Sequence, residues 1–212
     1  VAISARPSYT LLTMAARSMT DASAWRTRLS SNGLRPTLKN SWLLDWIRSG
    51  VTANWVLPSK RGRSCGLMVS ATRLAYHGQI PSKLLEKARK VATIDAAVMI
   101  AAQPGRTLGA IFADLQRAYA EVGEADQWQN HHQGGLTAYR PREVIVTPGN
   151  PTVLEAGNVC AWNPSIVGCK SEDTILIGEN GFEIVSAASP AFPHIDVRVG
   201  VQVVRRPGIL EL

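Results

Sequence analysis

The sequence predicts an α+β fold in which two helices precede an antiparallel sheet. Two stretches after residue 80 read as helices with a capping residue at the start, and the second shows the spacing of a buried apolar stripe. From Glu143 onward the apolar residues alternate with a period of two, as they do in strands. Pro, Gly and Asn separate these alternating segments. Helices and strands that occupy different parts of a chain are typical of layered α+β proteins.

The elements follow one another in a clear order after Cys65. Residues 66–78 read as a strand with a turn. Ser82 is placed to cap a helix that runs to about Ala102, where a Gln-Pro-Gly sequence ends it. Thr107 is placed to cap a second helix. Its apolar stripe predicts a buried face made of Leu108, Ile111, Phe112, Leu115 and Tyr119. Strands are predicted over 143–147, 158–162, 174–178, 182–186 and 196–204.

Charge divides the chain into two regions. Residues 1–64 hold ten Lys or Arg against two acids, whereas the remainder holds thirteen against fourteen. The first region also contains four tryptophans, and only residues 41–50 read there as a short helix. We predict a basic, Trp-rich region of uncertain structure over 1–64 and a folded domain over 65–212. A frame error or a partial gene is our hypothesis for the origin of residues 1–64.

Composition excludes several classes of protein. At 45% hydrophobic and 18% charged residues, the 212-residue chain is globular rather than disordered. It lacks a run of 18 apolar residues that would span a membrane. Arginines interrupt its apolar start, so we expect no secretory signal and a cytoplasmic location. Because the chain begins with Val1, a fragment of a longer protein is the alternative. The three cysteines lack metal-site or redox spacing and are expected to be reduced.

Three phrases in the second region suggest a family. They are HHQGG at 131–135, AWNPSI at 161–166 and KSEDT at 170–174. Their order and wording resemble the metal-binding half of the creatinase and aminopeptidase family, the pita-bread peptidases that include Xaa-Pro aminopeptidases and dipeptidases. The resemblance covers about residues 66–186. It implies a curved antiparallel sheet covered by helices, incomplete at the N-terminal side.

The resemblance also implies a degraded metal site. The family holds two metal ions with five ligands, of which His132 matches the metal His and Glu172 the last Glu. Ser70 and Asn163 stand where the family has an Asp and a Glu, and the first Asp would lie near Ser59, where the chain has no acid. The resemblance therefore leaves His132 and Glu172 as the metal ligands and as the catalytic residues of any active form.

Electrostatics argues against two metal ions. Two divalent cations carry four positive charges, and Glu172 alone would offset only one of them. We therefore expect no cofactor, and a single Zn, Mn or Co ion is the alternative.

Adjacent His131 and His132 would point to opposite faces of an extended segment, so we expect a structural role for His131. Without metal, His132 is expected to hydrogen-bond to Glu172 or Asn163.

The residues around His132 and Glu172 are also predicted to line a ligand pocket. Its predicted lining mixes donors, acceptors and an aromatic ring, as small-ligand sites do. Arg140 and Arg142 lie near the place where the family holds substrate, so a carboxylate or peptide terminus is a plausible guest. Solvated surface charge is the alternative for both arginines, and a core ring is the alternative for Tyr139. The predicted lining is His132, Gly134, Gly135, Tyr139, Arg140, Asn163 and Glu172.

Three functional hypotheses follow. The leading one is a protein of the Xaa-Pro aminopeptidase and dipeptidase family that binds a peptide or small amide with little or no hydrolysis. The second is an active peptidase that uses one metal. The third is a catalytically dead module that binds nucleic acid or protein through the basic first region, and it ranks last because basic residues without a recognised module are usually solvated. The resemblance also suggests a homodimer. Neither a GxSxG elbow nor a phosphate-binding loop occurs.

Overall fold

A computed structural model of the chain describes residues 51–57, 67–76 and 78–212, with the first of these segments described in its backbone alone. The predicted helix over 41–50 and the position near Ser59 lie outside the described residues. Residues 51–57 form a strand that pairs with the strand after it. The division of the chain at residues 64 and 65 stays a prediction.

Two helices, a short 3-10 helix over Gln127–Asn130 and a series of strands make up the described part of the chain. The helices are α1 (Ser82–Ala101) and α2 (Leu108–Glu121). The strands are β1 (Val51–Leu57), β2 (Leu67–Tyr76), β3 (Gly134–Leu136), β4 (Val144–Ile145), β5 (Val159–Trp162), β6 (Ser165–Ile166), β7 (Cys169–Lys170), β8 (Asp173–Gly178), β9 (Gly181–Ile184), β10 (His194–Val199), β11 (Gln202–Pro207) and β12 (Ile209–Glu211).

The strands form two main sheets that meet where β2 lies beside the start of β8. One sheet is antiparallel and has the order β4-β3-β5-β8-β9. The other has the order β1-β2-β12, with β12 parallel to β2. An antiparallel bridge between Thr72 and Glu172 links β2 to the residue before β8. The Thr174 hydroxyl extends this contact, since it accepts from the Ser70 N–H at 2.8 Å and donates to the Ser70 carbonyl at 2.9 Å.

Helix α1 organises the packing around these sheets. It contacts α2, the β10–β11 hairpin and strands β5, β6, β7 and β9. Its inner face buries apolar side chains such as Val91, Ile94 and Met99, and one carboxylate, Asp95. The predicted stripe of α2 is confirmed, because all five of its side chains are buried. The two helices therefore pack against each other, and α1 packs against the strands, as the α+β prediction requires.

The predicted cap of α2 and the predicted end of α1 near Ala102 are confirmed, and the predicted cap of α1 is wrong. The Thr107 hydroxyl accepts a hydrogen bond from the Ala110 N–H at 3.2 Å and caps α2. At α1 the cap position is Pro81, whose backbone is extended, and no side chain bonds there. Ser82 is already helical because the fixed φ of Pro81 makes the turn into the helix one residue earlier.

The last predicted strand, over 196–204, is a hairpin instead. Strands β10 and β11 pair so that Val199 lies opposite Gln202. Gly200 has a φ of +58° and makes the turn with Val201. Valines continue the alternating pattern on both sides of this glycine, so the periodicity alone did not show the turn. The short strands β3, β6, β7 and β12 were not predicted, and β4 is shorter than expected.

A buried ionic network ties the layers together. The Arg206 guanidinium of β11 bonds to Asp95 of α1 at 2.6 Å and to Asp173 of β8 at 2.5 Å. Asp173 also pairs with Arg73 of β2 at 2.8 Å. The Asp95 and Arg206 side chains are fully buried. Burial raises the pKa of Asp95, and the charge of Arg206 and the hydrogen bond from Ser171 oppose this rise.

The described helices include none that is long and apolar enough to cross a membrane.

Replacing Arg206 with Met should destabilise the protein by about 3–5 kcal/mol, because Asp95 and Asp173 would lose a shared buried partner. Urea unfolding followed by circular dichroism measures this loss. Arg205→Met is the matched control, since Arg205 pairs with Asp196 in an exposed position and such pairs contribute about 1 kcal/mol or less. Equal losses in the two variants would contradict the role of the network.

Candidate functional site

Glu172 is the centre of the candidate site, and it is almost completely buried, with 3% of its surface exposed. It immediately precedes β8 and lies opposite Thr72 of β2. The Thr72 N–H donates to the Glu172 carbonyl at 2.9 Å, and the Thr72 hydroxyl donates to Glu172 Oε2 at 3.0 Å. The meeting of the two sheets therefore fixes both the backbone and the carboxylate of this residue.

Two cations hold the Glu172 carboxylate. Lys170 Nζ lies 2.8 Å from Oε2, and Arg142 Nη2 lies 3.1 Å from Oε1. We call Thr72, Arg142, Lys170 and Glu172 the Glu172 cluster. Burial alone would raise the pKa of Glu172, but Lys170 and Arg142 outweigh it and hold the pKa below its usual range. The carboxylate is therefore ionised and fully paired at neutral pH.

His131 and His132 lie next to this cluster, and their rings stack with centroids 4.3 Å apart at 27°. The expectation that they point to opposite faces is therefore wrong. Partial burial lowers the pKa of both histidines, and the positive charges of Lys170 and Arg142 add to this effect. At His132 the neighbouring His131 contributes as well, and the pKa falls to about 4. Both rings are neutral at pH 7.

The expected hydrogen bond from His132 to Glu172 or Asn163 is also wrong within the described residues. Lys170, Arg142 and Thr72 already take the Glu172 oxygens. The Asn163 Oδ1 atom is buried and meets no donor in this part of the chain. His132 instead stacks on His131 and keeps part of its surface open to solvent.

Gln133 holds the histidine segment in place, a role that the sequence did not suggest. Its side-chain amide donates to the carbonyls of Trp128 at 2.9 Å and His131 at 2.5 Å. Its Oε1 lies 2.8 Å from the Tyr119 hydroxyl of α2. Because Gln133 is 1% exposed, these bonds form inside the protein and anchor the residues before β3 to the helix layer.

Gly134 and Gly135 owe their place to close backbone packing. A Cβ on Gly134 would lie 2.1 Å from the Ala161 carbonyl oxygen, and one on Gly135 would lie 1.9 Å from the Val144 oxygen. Both residues also have positive φ, of +114° and +140°. Only glycine lets β3 sit between β4 and β5. Their predicted contact with a ligand stays a prediction.

The structure places Tyr139, Arg140 and Arg142 in different surroundings. Tyr139 is 69% exposed, so the alternative of a core ring is wrong. Arg140 is exposed, and its backbone N–H donates to Glu143. Arg142 turns inward with 9% of its side chain exposed, so the alternative of solvated surface charge is wrong for this arginine. Of the two predicted arginines, only Arg142 belongs to the Glu172 cluster.

The donor set does not fit a pair of divalent metal ions. Ser70 and Asn163, at the positions where the resemblance calls for carboxylates, are buried and neutral. Glu172 is the carboxylate of the cluster, and two cations already offset its charge. Among the residues that the structure describes, no group of three His, Cys, Asp or Glu side chains could hold a metal ion. His132 and Glu172 as metal ligands stay a prediction.

Comparison with protein-family models finds no match, and comparison with curated protein sequences finds none either. Solved structures do match. The dipeptidase PepE from Mycobacterium ulcerans is 19% identical with a TM-score of 0.57, over 77% of this chain and 40% of that one. The X-Pro aminopeptidase from Thermotoga maritima is 15% identical with a TM-score of 0.58, over 77% and 42%.

The prolidase from Pyrococcus horikoshii gives the same picture, at 23% identity and a TM-score of 0.55, over 67% of this chain and 41% of that one. At these identities the likeness shows the fold. The chain has the mixed helix and sheet arrangement of the pita-bread fold, as predicted. It spans about two fifths of the length of the structures that it matches.

Gly135→Ala should destabilise the protein by about 3 kcal/mol, because the new Cβ would collide with the Val144 oxygen in a backbone conformation that disfavours alanine. Gly178→Ala in β8 is the control, since its Cβ would have an ordinary contact of 3.4 Å. The midpoint of urea unfolding measures both effects. A Gly135→Ala protein as stable as the control would contradict the packing argument.

Stability should fall as the pH is lowered from about 6.5 towards 4. In this window the unfolded chain binds a proton at His132, while the folded chain, with the lowered pKa, does not. His132→Gln should flatten this part of the curve. Thermal melts between pH 7 and pH 4 test it, and His194→Gln on the exposed start of β10 controls for the loss of a histidine. An unchanged slope in His132→Gln would contradict the assignment.

Proposed function

We propose that the chain binds a peptide or a small amide at the Glu172 cluster, with little or no hydrolysis. In this view it is a binding relative of the Xaa-Pro dipeptidases and aminopeptidases whose fold it shares. One observation carries the proposal: Lys170 and Arg142 occupy both oxygens of the carboxylate that the resemblance assigns to metal binding.

This pairing removes what metal-assisted hydrolysis requires. A divalent ion needs carboxylate oxygens that are free to coordinate it and negative charge to offset its own. At Glu172 an ammonium and a guanidinium supply the compensating charge instead, at 2.8 and 3.1 Å. A metal would have to displace at least one of them from an almost fully buried carboxylate. The charge balance therefore favours binding without a metal-activated water.

Unpaired polar atoms of Arg142 and Asn163 favour a peptide or amide as ligand. Asn163 Oδ1 is a buried acceptor without a donor in the described part of the chain, and Arg142 Nε is a buried donor without an acceptor there. A peptide group offers one N–H and one carbonyl oxygen, which complement this pair. Leaving such atoms unsatisfied costs about 1–3 kcal/mol each, which a matching ligand would recover in part.

Asn163 takes the position of the Glu-Pro phrase expected from the resemblance, and this change supports the same conclusion. Its backbone N–H donates to the Gln133 carbonyl at 3.2 Å, so the residue is fixed to the segment that carries the histidines. An amide there has no charge with which to hold a metal ion, but it has both a donor and an acceptor for a neutral polar ligand.

We expect the purified chain to bind Xaa-Pro dipeptides without releasing products and without stoichiometric metal. Calorimetric titration with the dipeptides measures binding, chromatography of incubated peptides measures hydrolysis, and elemental analysis with titration of Zn, Mn and Co measures metal content. Asn163→Leu should weaken peptide binding by about tenfold, since it removes a buried hydrogen-bonding group. Asn158→Ala, in the turn before β5, is the matched control.

The one-metal peptidase gives the opposite results. Stoichiometric metal that Glu172→Gln abolishes and Glu155→Gln keeps, together with hydrolysis that a chelator stops, would overturn the proposal. Glu155 is a suitable control because it is exposed and lies outside the Glu172 cluster. A chain that neither binds nor cleaves any tested peptide would also overturn it.

A further inference from the structure

The Glu172 cluster carries one more positive than negative charge. Arg142 and Lys170 face the single carboxylate of Glu172. The adjacent acid, Asp173, is engaged elsewhere by Arg73 and Arg206. Within the described residues, no second carboxylate offsets the remaining charge, so the cluster has a net charge of about +1.

The same two cations have hydrogen-bond donors to spare. An ammonium has three N–H groups, and Lys170 uses one of them on Glu172. The structure shows no acceptor for the other two in the part of the chain that it describes. Arg142 bonds through Nη1 and Nη2, while its Nε is buried without an acceptor. Unfilled donors on both cations therefore border one carboxylate.

Solvent reaches the cluster from the side of Lys170 and His132. Lys170 leaves 21% of its side chain exposed, whereas the Arg142 side chain leaves 9% and that of Glu172 leaves 4%. His132 is exposed beside them. A small solute can therefore approach the lysine ammonium from solvent. Thr72 of β2, which bonds the same Glu172 oxygen as Lys170, is buried.

We propose that the Glu172 cluster binds a compact oxyanion, a carboxylate or a phosphate, through Lys170 and Arg142. This inference rests on the proposed function, since it names the chemical group by which the ligand is held. Charge-assisted bonds from an ammonium and a guanidinium to anionic oxygens are the strong hydrogen bonds of proteins. The site thus attracts an ion of the sign opposite to the one that the resemblance implies.

Glu172→Gln separates this inference from metal binding. The substitution keeps the shape of the side chain and raises the net charge of the cluster by one. We expect acetate and phosphate, titrated separately into the full chain at low ionic strength and pH 7.5, to bind about tenfold more tightly to this variant than to the parent. A bound metal would respond in the opposite direction, because it would lose a ligand.

Two further variants keep the test decisive if Glu172→Gln folds poorly, which circular dichroism and a thermal melt will show. Lys170→Met and Arg142→Gln should each weaken anion binding by about tenfold or more. Arg140→Gln is the matched control, because Arg140 is exposed and its side chain takes no part in the cluster. Equal binding by all of these variants, or no anion binding by the parent chain, would overturn the inference.

The titrations with acetate and phosphate show which kind of anion the cluster prefers. Titrations with a dipeptide then separate this inference from the proposed function. Preference for acetate over phosphate points to a carboxylate ligand, and the reverse order points to a phosphate. Either order supports the site if Lys170→Met weakens the binding as expected.

The same dipeptide is then tested as free acid and as amide. Equal binding of the two forms overturns the anion site and leaves the proposed function standing. Binding of neither form, with Lys170-dependent binding of acetate or phosphate, supports the site and overturns the proposed function.

Discussion

The structure depends on two adjacent acids, Glu172 and Asp173, placed where β2 meets β8. Each is almost fully buried, and each is held by two cations: Glu172 by Lys170 and Arg142, Asp173 by Arg73 and Arg206. Adjacent residues of an extended chain point to opposite faces, so the two acids serve different surroundings. Uncompensated burial of either charge would cost several kcal/mol, which makes the positions of all four cations part of the fold.

Because Glu172 and Asp173 point to opposite faces, one acid belongs to the candidate site and the other to the interactions that stabilise the fold. Asp173, Arg73 and Arg206 join β8, β2 and the β10–β11 hairpin in the interior, and Asp95 adds α1 to this network. Neither Ser70 nor Asn163 takes part in these ion pairs. The face of Glu172 is partly open at Lys170 and carries less of the architecture. The fold shared with the solved dipeptidases and aminopeptidases therefore contains, in this chain, a central carboxylate that two cations hold. Function has to be argued from these side chains rather than from the likeness in fold.

Local signals in the sequence predicted the local structure well. Thr107 and the spacing of the apolar residues after it are sufficient to define α2, because capping and amphipathicity act within a few residues. The alternating strands around Gly200 misled the prediction, since valine alternation looks the same in one long strand and in a hairpin. The pairing of Lys170 with Glu172 could have been found, because residues i and i+2 of an extended segment share a face.

The other partners could not have been found in this way. Arg142 is thirty residues from Glu172, and Arg206 is 111 from Asp95, so no periodicity relates them. The sequence does contain one hint, a carboxylate at Asp95 in the middle of an apolar helix, which calls for a buried cation without saying which. Gln133 gave no such hint, because glutamine in a loop is usually solvated. Tertiary packing alone places its amide against Trp128 and Tyr119.

The long span of the Asp95–Arg206 pair also sets an order of events during synthesis. Helix α1 is complete about a hundred residues before Arg206 leaves the ribosome, and until then Asp95 lacks the cation that offsets its charge in the folded protein. The early chain should therefore keep this face of α1 hydrated and loosely packed. Closing a loop of that length costs conformational entropy, and the Asp95–Arg206 ion pair offsets this cost only when the loop has closed. The arrival of β11 is thus the step that locks helix, hairpin and sheet into one cooperative unit.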